Sequence, residues 1–359
     1  MYKLPSKLES FTPYEPLTGN YKVRLDVNES FIETPLEKIV IAIKHAELNR
    51  YPDPYAAETV AAFAELFDVE LTLVTAGNGS DELIGLIAAG LLEKGDKVLT
   101  LTPDFPMYSF YSKSYELEVM ELTKSENFVV DIDEVIEYIN INNIRCLIFS
   151  NPCNPTSLGI EKSKVKRLVA ETKALIVVDE AYMDFWSEEQ SMLDEICNYD
   201  NLIVLRTCSK SVALAGIRLG FAVANENITK ALKTVKSPFN VNSLSQAIGT
   251  AILSDADCYR KSIKVIKENT KALYNALLGL VKLGAFEKVY DTKTNFIFAK
   301  TEKAQEVYEF LLSKGIAVRC FPGHLRVCSG TRDEMNLFLK EISAWKVMEL
   351  EKVMEESES

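Results

Sequence analysis

The sequence predicts an α/β fold with a large domain built on a mostly parallel sheet, followed by a small α+β domain. Apolar runs such as residues 174–178 and 202–205 end abruptly in polar residues, which is typical of buried parallel strands. Segments with helical periodicity alternate with these runs along the first two thirds of the chain. Ligands of open α/β sheets bind beyond the carboxyl ends of the strands, so we expect the functional site there.

The length of the chain favours two domains. A chain of 359 residues is too long for one small core. We assign residues 31–250 to the large domain and residues 251–359 to the small, substrate-binding domain. Residues 1–30 are interpreted as an N-terminal arm that joins the small domain.

Charge and composition exclude several classes of function. A net charge of −12 argues against a nucleic-acid partner, because a phosphate-binding surface needs a basic patch. No apolar run approaches the roughly 20 residues that cross a bilayer, and the N-terminus lacks the apolar core of a secretory signal. With two histidines and seven scattered cysteines, we expect no metal site and a reducing, cytoplasmic location. Cys153, Cys208 and Cys328 are interpreted as small packing residues.

Local patterns predict the elements of the large domain. Alternating side chains indicate a strand near residues 21–29, and Pro35 opens an amphipathic helix that runs to about His45. Pro52 and Pro54 exclude a helix around them. The remaining predicted segments are helices at 56–67, 83–92, 106–113, 131–140 and 228–235, and strands at 71–75, 97–101, 118–122, 146–150, 174–178 and 202–205.

The last third of the chain has the pattern of a smaller domain. A long helical stretch over residues 244–283, with a pause near Ser254, carries the chain away from the sheet. Strands are then expected at 294–299, 316–320 and 325–328, and helices at 304–314 and from Asp333 onward.

Polar residues with complementary chemistry follow the runs 174–178 and 202–205. They are Asp179, Tyr182, Thr207, Ser209, Lys210 and Arg218. Because the carboxyl ends of neighbouring parallel strands meet at one edge of a sheet, these side chains should converge. A carboxylate, a phenol, two hydroxyls, an amine and a guanidinium together suit a charged, phosphorylated ring that contains nitrogen.

Four further features can be interpreted from the residues alone. The glycine turn at residues 77–79 stands between a strand and a helix, so it either binds a phosphate or only reverses the chain. Phe105 either stacks on a planar ligand or is a core aromatic. Asn154 lies in a loop with two Asn-Pro pairs, which hold amide side chains outward. Tyr51, directly before Pro52, is interpreted from composition as a surface turn aromatic.

Four motifs occur in one order: GNGSDE at 77–82, NPCNPTS at 151–157, DEAY at 179–182 and RTCSKSVALAGIRLGF at 206–221. With them the chain resembles the pyridoxal-phosphate-dependent aminotransferases of the aspartate aminotransferase superfamily, most of all the histidinol-phosphate aminotransferase group. The resemblance covers about residues 25–332. It implies fold type I, with a seven-stranded sheet sandwiched by helices, and pyridoxal 5'-phosphate bound to the large domain.

The resemblance also implies roles for the residues. Lys210 carries the cofactor and then moves the substrate proton, and Asp179 faces the ring nitrogen, although an aspartate there can also cap a helix. Tyr182 and Asn154 donate hydrogen bonds to the ring oxygen, and Phe105 stacks on the ring. The cofactor's phosphate is expected to contact Gly79, Ser80, Asp81, Thr207, Ser209 and Arg218.

The resemblance further implies a homodimer with shared active sites. Tyr51 would reach the cofactor of the neighbouring subunit, which replaces the surface interpretation drawn from composition. Asn28, Arg319 and Arg326 would bind the substrate, with a structural salt bridge as the alternative for Arg319. The substrates would be an amino acid or an amino-phosphate and a 2-oxo acid.

The segment after Asn28 departs from the histidinol-phosphate aminotransferase pattern. That group often has NENPYG, whereas this chain has Asn28-Glu29-Ser30-Phe31. The reaction class is therefore predicted more firmly than the substrate. Aminotransfer to aromatic or other amino acids and decarboxylation of threonine phosphate stay open. A ligand-sensing regulator is disfavoured because no basic helix-turn-helix segment is present, and a non-enzymatic module is disfavoured by Lys210.

Overall fold

The computed structural model describes residues 2–12 and 15–358. Met1, Pro13, Tyr14 and Ser359, which belong to the predicted arm and small domain, lie outside the described residues. None of the helices in the described ranges is both long enough and apolar enough to cross a membrane.

Helices and strands alternate between residues 74 and 179. The strands are β1 (Val23–Arg24), β2 (Val74–Gly77), β3 (Lys97–Thr102), β4 (Glu118–Thr123), β5 (Cys146–Ser150), β6 (Leu175–Asp179), β7 (Leu202–Thr207), β8 (Gly220–Ala224), β9 (Lys288–Val289), β10 (Phe296–Lys300), β11 (Ile316–Ala317), β12 (Arg319–Phe321) and β13 (His324–Cys328). The helices are α1 (Leu36–Lys44), α2 (Ala57–Phe67), α3 (Ser80–Gly90), α4 (Met107–Ser114), α5 (Ile132–Asn142), α6 (Lys162–Ala170), α7 (Glu226–Val235), α8 (Ser243–Leu253), α9 (Ala256–Lys282), α10 (Ala304–Ser313) and α11 (Arg332–Glu358).

A seven-stranded sheet in the order β2-β8-β7-β6-β5-β3-β4 forms the centre of the fold. Only β8 runs antiparallel to its neighbours, β2 and β7. Successive residues of β6 enter opposite cores: Val177 packs in the layer with α3, and Val178 packs in the layer with α2, α5 and α6. Both faces are therefore apolar, which explains the uninterrupted apolar runs. The predicted seven-stranded, mostly parallel sheet between helices is confirmed.

A second sheet has the order β12-β13-β10-β9 and is antiparallel, and β1 pairs with β11 beside it. A separate core lies between these strands and α9, α10 and α11. Val23 and Leu25, from the predicted arm, are buried in this core. The domain boundaries at residues 30 and 250 stay predictions.

Three predicted strands differ from the structure. Leu71–Leu73 is a 3₁₀ turn, and the strand begins only at Val74, which pairs with Val223 near the end of β8. Of the strand expected near residues 21–29, only β1 pairs. The strand expected at 316–320 is broken into β11 and β12, which belong to different sheets.

Candidate active site

A cavity of about 430 Å³ opens where the carboxyl ends of β5, β6 and β7 face the smaller sheet. The predicted site residues that line it are Asn28, Ser80, Asp81, Phe105, Asn154, Asp179, Tyr182, Thr207, Ser209, Lys210, Arg218, Arg319 and Arg326. Gly79 lies just behind this wall. The structure does not bring Tyr51 into the cavity of its own chain.

The turn before α3 has no room for side chains. Gly79 has a φ of +82°, and a Cβ added to it would lie 2.8 Å from Nη2 of Arg218. A Cβ on Gly220 would lie 2.5 Å from the backbone nitrogen of Ser80. The first backbone N–H groups of α3 therefore face the cavity unobstructed, as an anion site requires.

Side chains complete this anion site. Arg218 lines the cavity, and its Nη2 donates to Oδ2 of Asp81 at 2.9 Å. The hydroxyl of Thr207 donates to that of Ser209 at 3.0 Å. A planar guanidinium and two hydroxyls beside a helix N-terminus match the oxygens of a phosphate monoester.

Asp179 ends β6 and is buried beneath the cavity. Its Oδ2 accepts a hydrogen bond from the Tyr108 hydroxyl at 2.8 Å, and its Oδ1 accepts one from the backbone N–H of Ala181 at 3.1 Å. Burial raises the pKa of Asp179 to about 7, which these hydrogen bonds only partly offset. A cationic ring nitrogen above the carboxylate would favour its charged form. The bond to Ala181 shows that Asp179 also orders the turn that follows its strand.

Lys210 points into the cavity from the loop after β7. Its Nζ donates to the carbonyl oxygen of Val27 at 3.0 Å and lies 6.0 Å from the centre of the Tyr182 ring. Burial lowers the pKa of Lys210 to about 8, and the charge of Arg326 lowers it by a smaller amount. Burial, and not the nearby cation, is therefore the main cause of the lowered pKa. A lysine with such a pKa is partly neutral near physiological pH, as a nucleophilic amine must be.

Tyr182 connects the cavity with the smaller core. Burial raises its pKa to about 12, so the phenol keeps its proton. The hydroxyl accepts a hydrogen bond from Nδ2 of Asn28 at 3.0 Å, and the ring packs edge-on against Phe296 at 5.1 Å. Oδ1 of Asn28 is buried and has no hydrogen-bond partner among the described residues.

Two arginines form the opposite wall. Arg326 is 7% exposed, and it donates from Nη1 to Oδ1 of Asn154 and from Nη2 to the carbonyl oxygen of Asp26 at 2.5 Å. Its Nε is buried without a partner within the described ranges. Arg319 stands opposite it in the pairing of β12 with β13 and forms no salt bridge to the described residues. Burial lowers the pKa of Arg326, which an anionic ligand would reverse.

Sequence reasoning missed several residues of the cavity: Asp26, Glu29, Asp104, Tyr108, Ser150 and Phe321. Tyr108 is the most consequential, because it bonds Asp179 directly. It also meets the Phe105 ring edge-on at 5.5 Å. Its spacing of three residues after Phe105, in the first turn of a helix, was the signal that could have identified it.

Residues 19–342 match the family described as aminotransferase class I and II. The chain therefore belongs to the class I and II aminotransferases, which confirms the predicted enzyme class, a pyridoxal-phosphate-dependent aminotransferase. The cavity fits that cofactor, because the glycine-lined anion site, the buried carboxylate and the partly neutral lysine lie around one space.

The names of similar proteins within the family are more specific than the name of the family itself. The chain is 41% identical over 336 residues to a histidinol-phosphate aminotransferase of Clostridium novyi, which covers 91% of this chain and 92% of that one. A protein of the same name from Clostridium kluyveri is 38% identical over 346 residues, 94% and 96% of the two chains. The crystal structure of histidinol-phosphate aminotransferase from Sinorhizobium meliloti, in complex with pyridoxal-5'-phosphate, superposes with a TM-score of 0.85 at 20% identity. It covers 96% of this chain and 99% of that chain, and shows the shared fold.

Proposed function

We propose that the protein is a histidinol-phosphate aminotransferase, which converts histidinol phosphate and 2-oxoglutarate to imidazole-acetol phosphate and glutamate in histidine biosynthesis. The observation that carries the proposal is Arg326, a buried guanidinium whose hydrogen-bond partners are neutral oxygens. Such a group is stabilised by an anion. The names of the relatives, at 33–41% identity, support histidinol phosphate as the source of that anion.

Each residue of the site then has a defined task. Bound pyridoxal phosphate supplies an aldehyde and an electron-withdrawing ring. The N-terminus of α3 and Arg218 hold its phosphate, and Asp179 keeps its ring nitrogen protonated. Lys210 attaches the cofactor and afterwards moves the proton at the substrate Cα, for which a pKa near the working pH is suited. Tyr182, which keeps its proton, donates a hydrogen bond to the ring oxygen.

The arginine wall can serve both substrates. Histidinol phosphate has no α-carboxylate, so its phosphate is the group that Arg326 and Arg319 would bind. The 2-oxo acid carries carboxylates, which suit the same planar guanidinium. Oδ1 of Asn28, buried and unpartnered among the described residues, accepts a hydrogen bond from the substrate amine.

A panel of amino donors tests the substrate. Each donor is added to the holoenzyme, and the change in cofactor absorbance is followed without a 2-oxo acid. We expect histidinol phosphate to react fastest and histidinol, its matched control without phosphate, to react at least about 100-fold more slowly, since a charged contact to Arg326 is lost. A response to phenylalanine alone would exclude histidinol phosphate. Release of CO₂ from threonine phosphate would identify a decarboxylase.

We also propose a homodimer that works in the cytoplasm. Helix α1 has no buried residue, although Leu36 and Ile41 are apolar. Tyr51 is 82% exposed and stacks on Phe239 with ring centres 4.7 Å apart. A second copy of the chain would cover this apolar surface and bring Tyr51 to its cofactor phosphate. All seven cysteines are free, which suits a reducing compartment.

Hybrid dimers test the role of Tyr51. Dimers of Tyr51→Phe and dimers of Lys210→Ala should each be impaired at limiting cofactor. After the two are mixed and allowed to exchange subunits, we expect activity to rise, because one site of each hybrid has Lys210 from one subunit and Tyr51 from the other. Each variant mixed with itself is the control. If Tyr51 acted within its own chain, mixing would restore nothing.

A further inference from the structure

Lys124 and Cys153 form a buried pair behind the cofactor site. Lys124 follows β4, and Cys153 lies in the loop after β5. Nζ of Lys124 lies 3.0 Å from Sγ of Cys153 and donates to the carbonyl oxygen of Pro103 at 2.7 Å. Both residues are less than 10% exposed. The carbonyl contact therefore holds the nitrogen against the sulfur.

A second cavity gives small molecules access to this pair. Its volume is about 200 Å³, and Lys124, Cys153 and Thr156 are among the residues that line it. The Thr156 hydroxyl oxygen is fully buried and has no hydrogen-bond partner in the described parts of the chain. An unpartnered hydroxyl in such a space can bind a molecule the size of water or hydrogen peroxide.

We propose that Lys124 and Cys153 are a modification site, at which hydrogen peroxide joins them through a covalent nitrogen–oxygen–sulfur bridge. The ammonium and the thiol react with two molecules of peroxide to give the bridge, three waters and one released proton. N–H and S–H bonds break, N–O and O–S bonds form, and the bridging oxygen comes from peroxide. Nitrogen and sulfur together lose four electrons, two to each peroxide. A single inserted oxygen suits two atoms that already lie in contact.

The environment distinguishes Cys153 from the other buried cysteines. Burial raises the pKa of Cys146 and of Cys328 to about 12 and that of Cys208 further still, which keeps all three as unreactive thiols. Cys153 instead has an amine at contact distance and a cavity beside it. The sequence-based interpretation of Cys153 as a packing residue is therefore incomplete.

The bridge would act on the active site through Asp104. This carboxylate lies 3.5 Å from Nζ of Lys124, and it lines both cavities together with Ser150. It accepts hydrogen bonds from the backbone N–H of Phe105 at 2.8 Å and from the Ser150 hydroxyl. That hydroxyl accepts from the backbone N–H of Asn154 at 3.0 Å. Bridging removes the positive charge of Lys124 beside Asp104, and the Asp104 carboxylate then takes up a proton. Its hydrogen bonds to Phe105 and Ser150 weaken, so the wall beneath the cofactor is held less firmly.

Peptide mapping of the peroxide-treated holoenzyme tests the proposal. We expect one linked pair of peptides that contains Lys124 and Cys153 and is heavier than their sum by one oxygen less two hydrogens. A thiol reductant should remove it. Affinity for pyridoxal phosphate should fall about tenfold, equal to about 1.4 kcal/mol, and return on reduction. The activity measurement rests on the proposed function, so each treated sample is compared with its own untreated rate. The mass of the linked peptides needs no substrate and tests the bridge independently of the proposed function.

Variants decide between the bridge and simpler oxidation. Cys153→Ser and Lys124→Arg should form no linked peptide and show no loss that a reductant reverses. Cys197→Ser, which removes an exposed cysteine, is the matched control and should behave as wild type. Sulfinic acid or a disulfide at Cys153 with Lys124 unmodified would overturn the proposal, and this is decided on the wild-type protein even if a variant fails to fold. A bridge that leaves cofactor affinity unchanged would overturn the coupling through Asp104.

Discussion

Replacing Lys210 with alanine is expected to lower turnover by about four orders of magnitude, the upper range for a positioned acid–base group. In the proposed mechanism this amine attaches the cofactor and moves the substrate proton, and no other lysine lines the cavity in the described ranges. The visible absorbance of the bound cofactor should also be lost. Steady-state rates and an absorbance spectrum of the purified variant measure both effects.

Lys210→Arg and Lys94→Ala separate chemistry from charge. Arginine keeps the charge but stays protonated, so it should be as inactive as alanine. Lys94 is on the surface, and its removal should change nothing. Because the pKa of Lys210 is about 8, cofactor uptake by the apoenzyme should rise about tenfold per pH unit below that value and then level off. A Lys210→Ala protein that turns over at the wild-type rate would refute the assignment.

Asp179→Asn is expected to lower turnover by roughly 10²–10³, since an amide cannot stabilise a protonated ring nitrogen as a carboxylate does. The same change should stabilise the apoenzyme at pH 8. Burial raises the pKa of Asp179 from 3.8 to about 7, so the folded chain binds this proton more tightly than the unfolded chain. The free energy of unfolding of the wild-type apoenzyme therefore falls as the pH rises from about 4 to 7. Above pH 7 the full loss, at most about 4 kcal/mol, persists.

Thermal unfolding of apoenzyme at pH 8 and pH 4 measures this second effect. Asparagine resembles the protonated carboxylate, so the melting temperatures of variant and wild type should converge at pH 4. Tyr108→Phe is the matched control: it removes one hydrogen bond to Asp179 but keeps the carboxylate, so turnover should fall much less. An Asp179→Asn apoenzyme that is less stable than wild type at pH 8 would contradict the role of burial.

The sequence was informative where strand ends and chemistry coincide. Asp179 and Lys210 could be located because each follows a continuous apolar run, and such runs indicate both the sheet and its ligand-binding edge. Tyr108 could not be located in this way. Its hydroxyl reaches Asp179 across 71 residues of chain, and the spacing of three residues after Phe105 was the one local signal that distinguished it from a core tyrosine.

Strand direction and partners were the weakest part of the fold prediction. Strand β8 was missed because it begins within the Arg218 motif and contains glycine and two alanines, which have low strand propensity. Leu71–Leu73 alternates like a strand, but a strand forms only where a partner pairs with it, and the local pattern does not contain the partner. The pKa of Lys210 likewise depends on burial by distant segments, so its main cause was not visible in the sequence.

Tyr182 belongs at once to the cavity and to the smaller core, where Phe296 supports its ring. The stability of the smaller core and the activity of the enzyme therefore both depend on the packing of this one side chain. A substitution inside the smaller core, far from any substrate, would therefore displace the Tyr182 hydroxyl in the cavity. Fewer substitutions should be tolerated in that core than its distance from the reacting atoms implies.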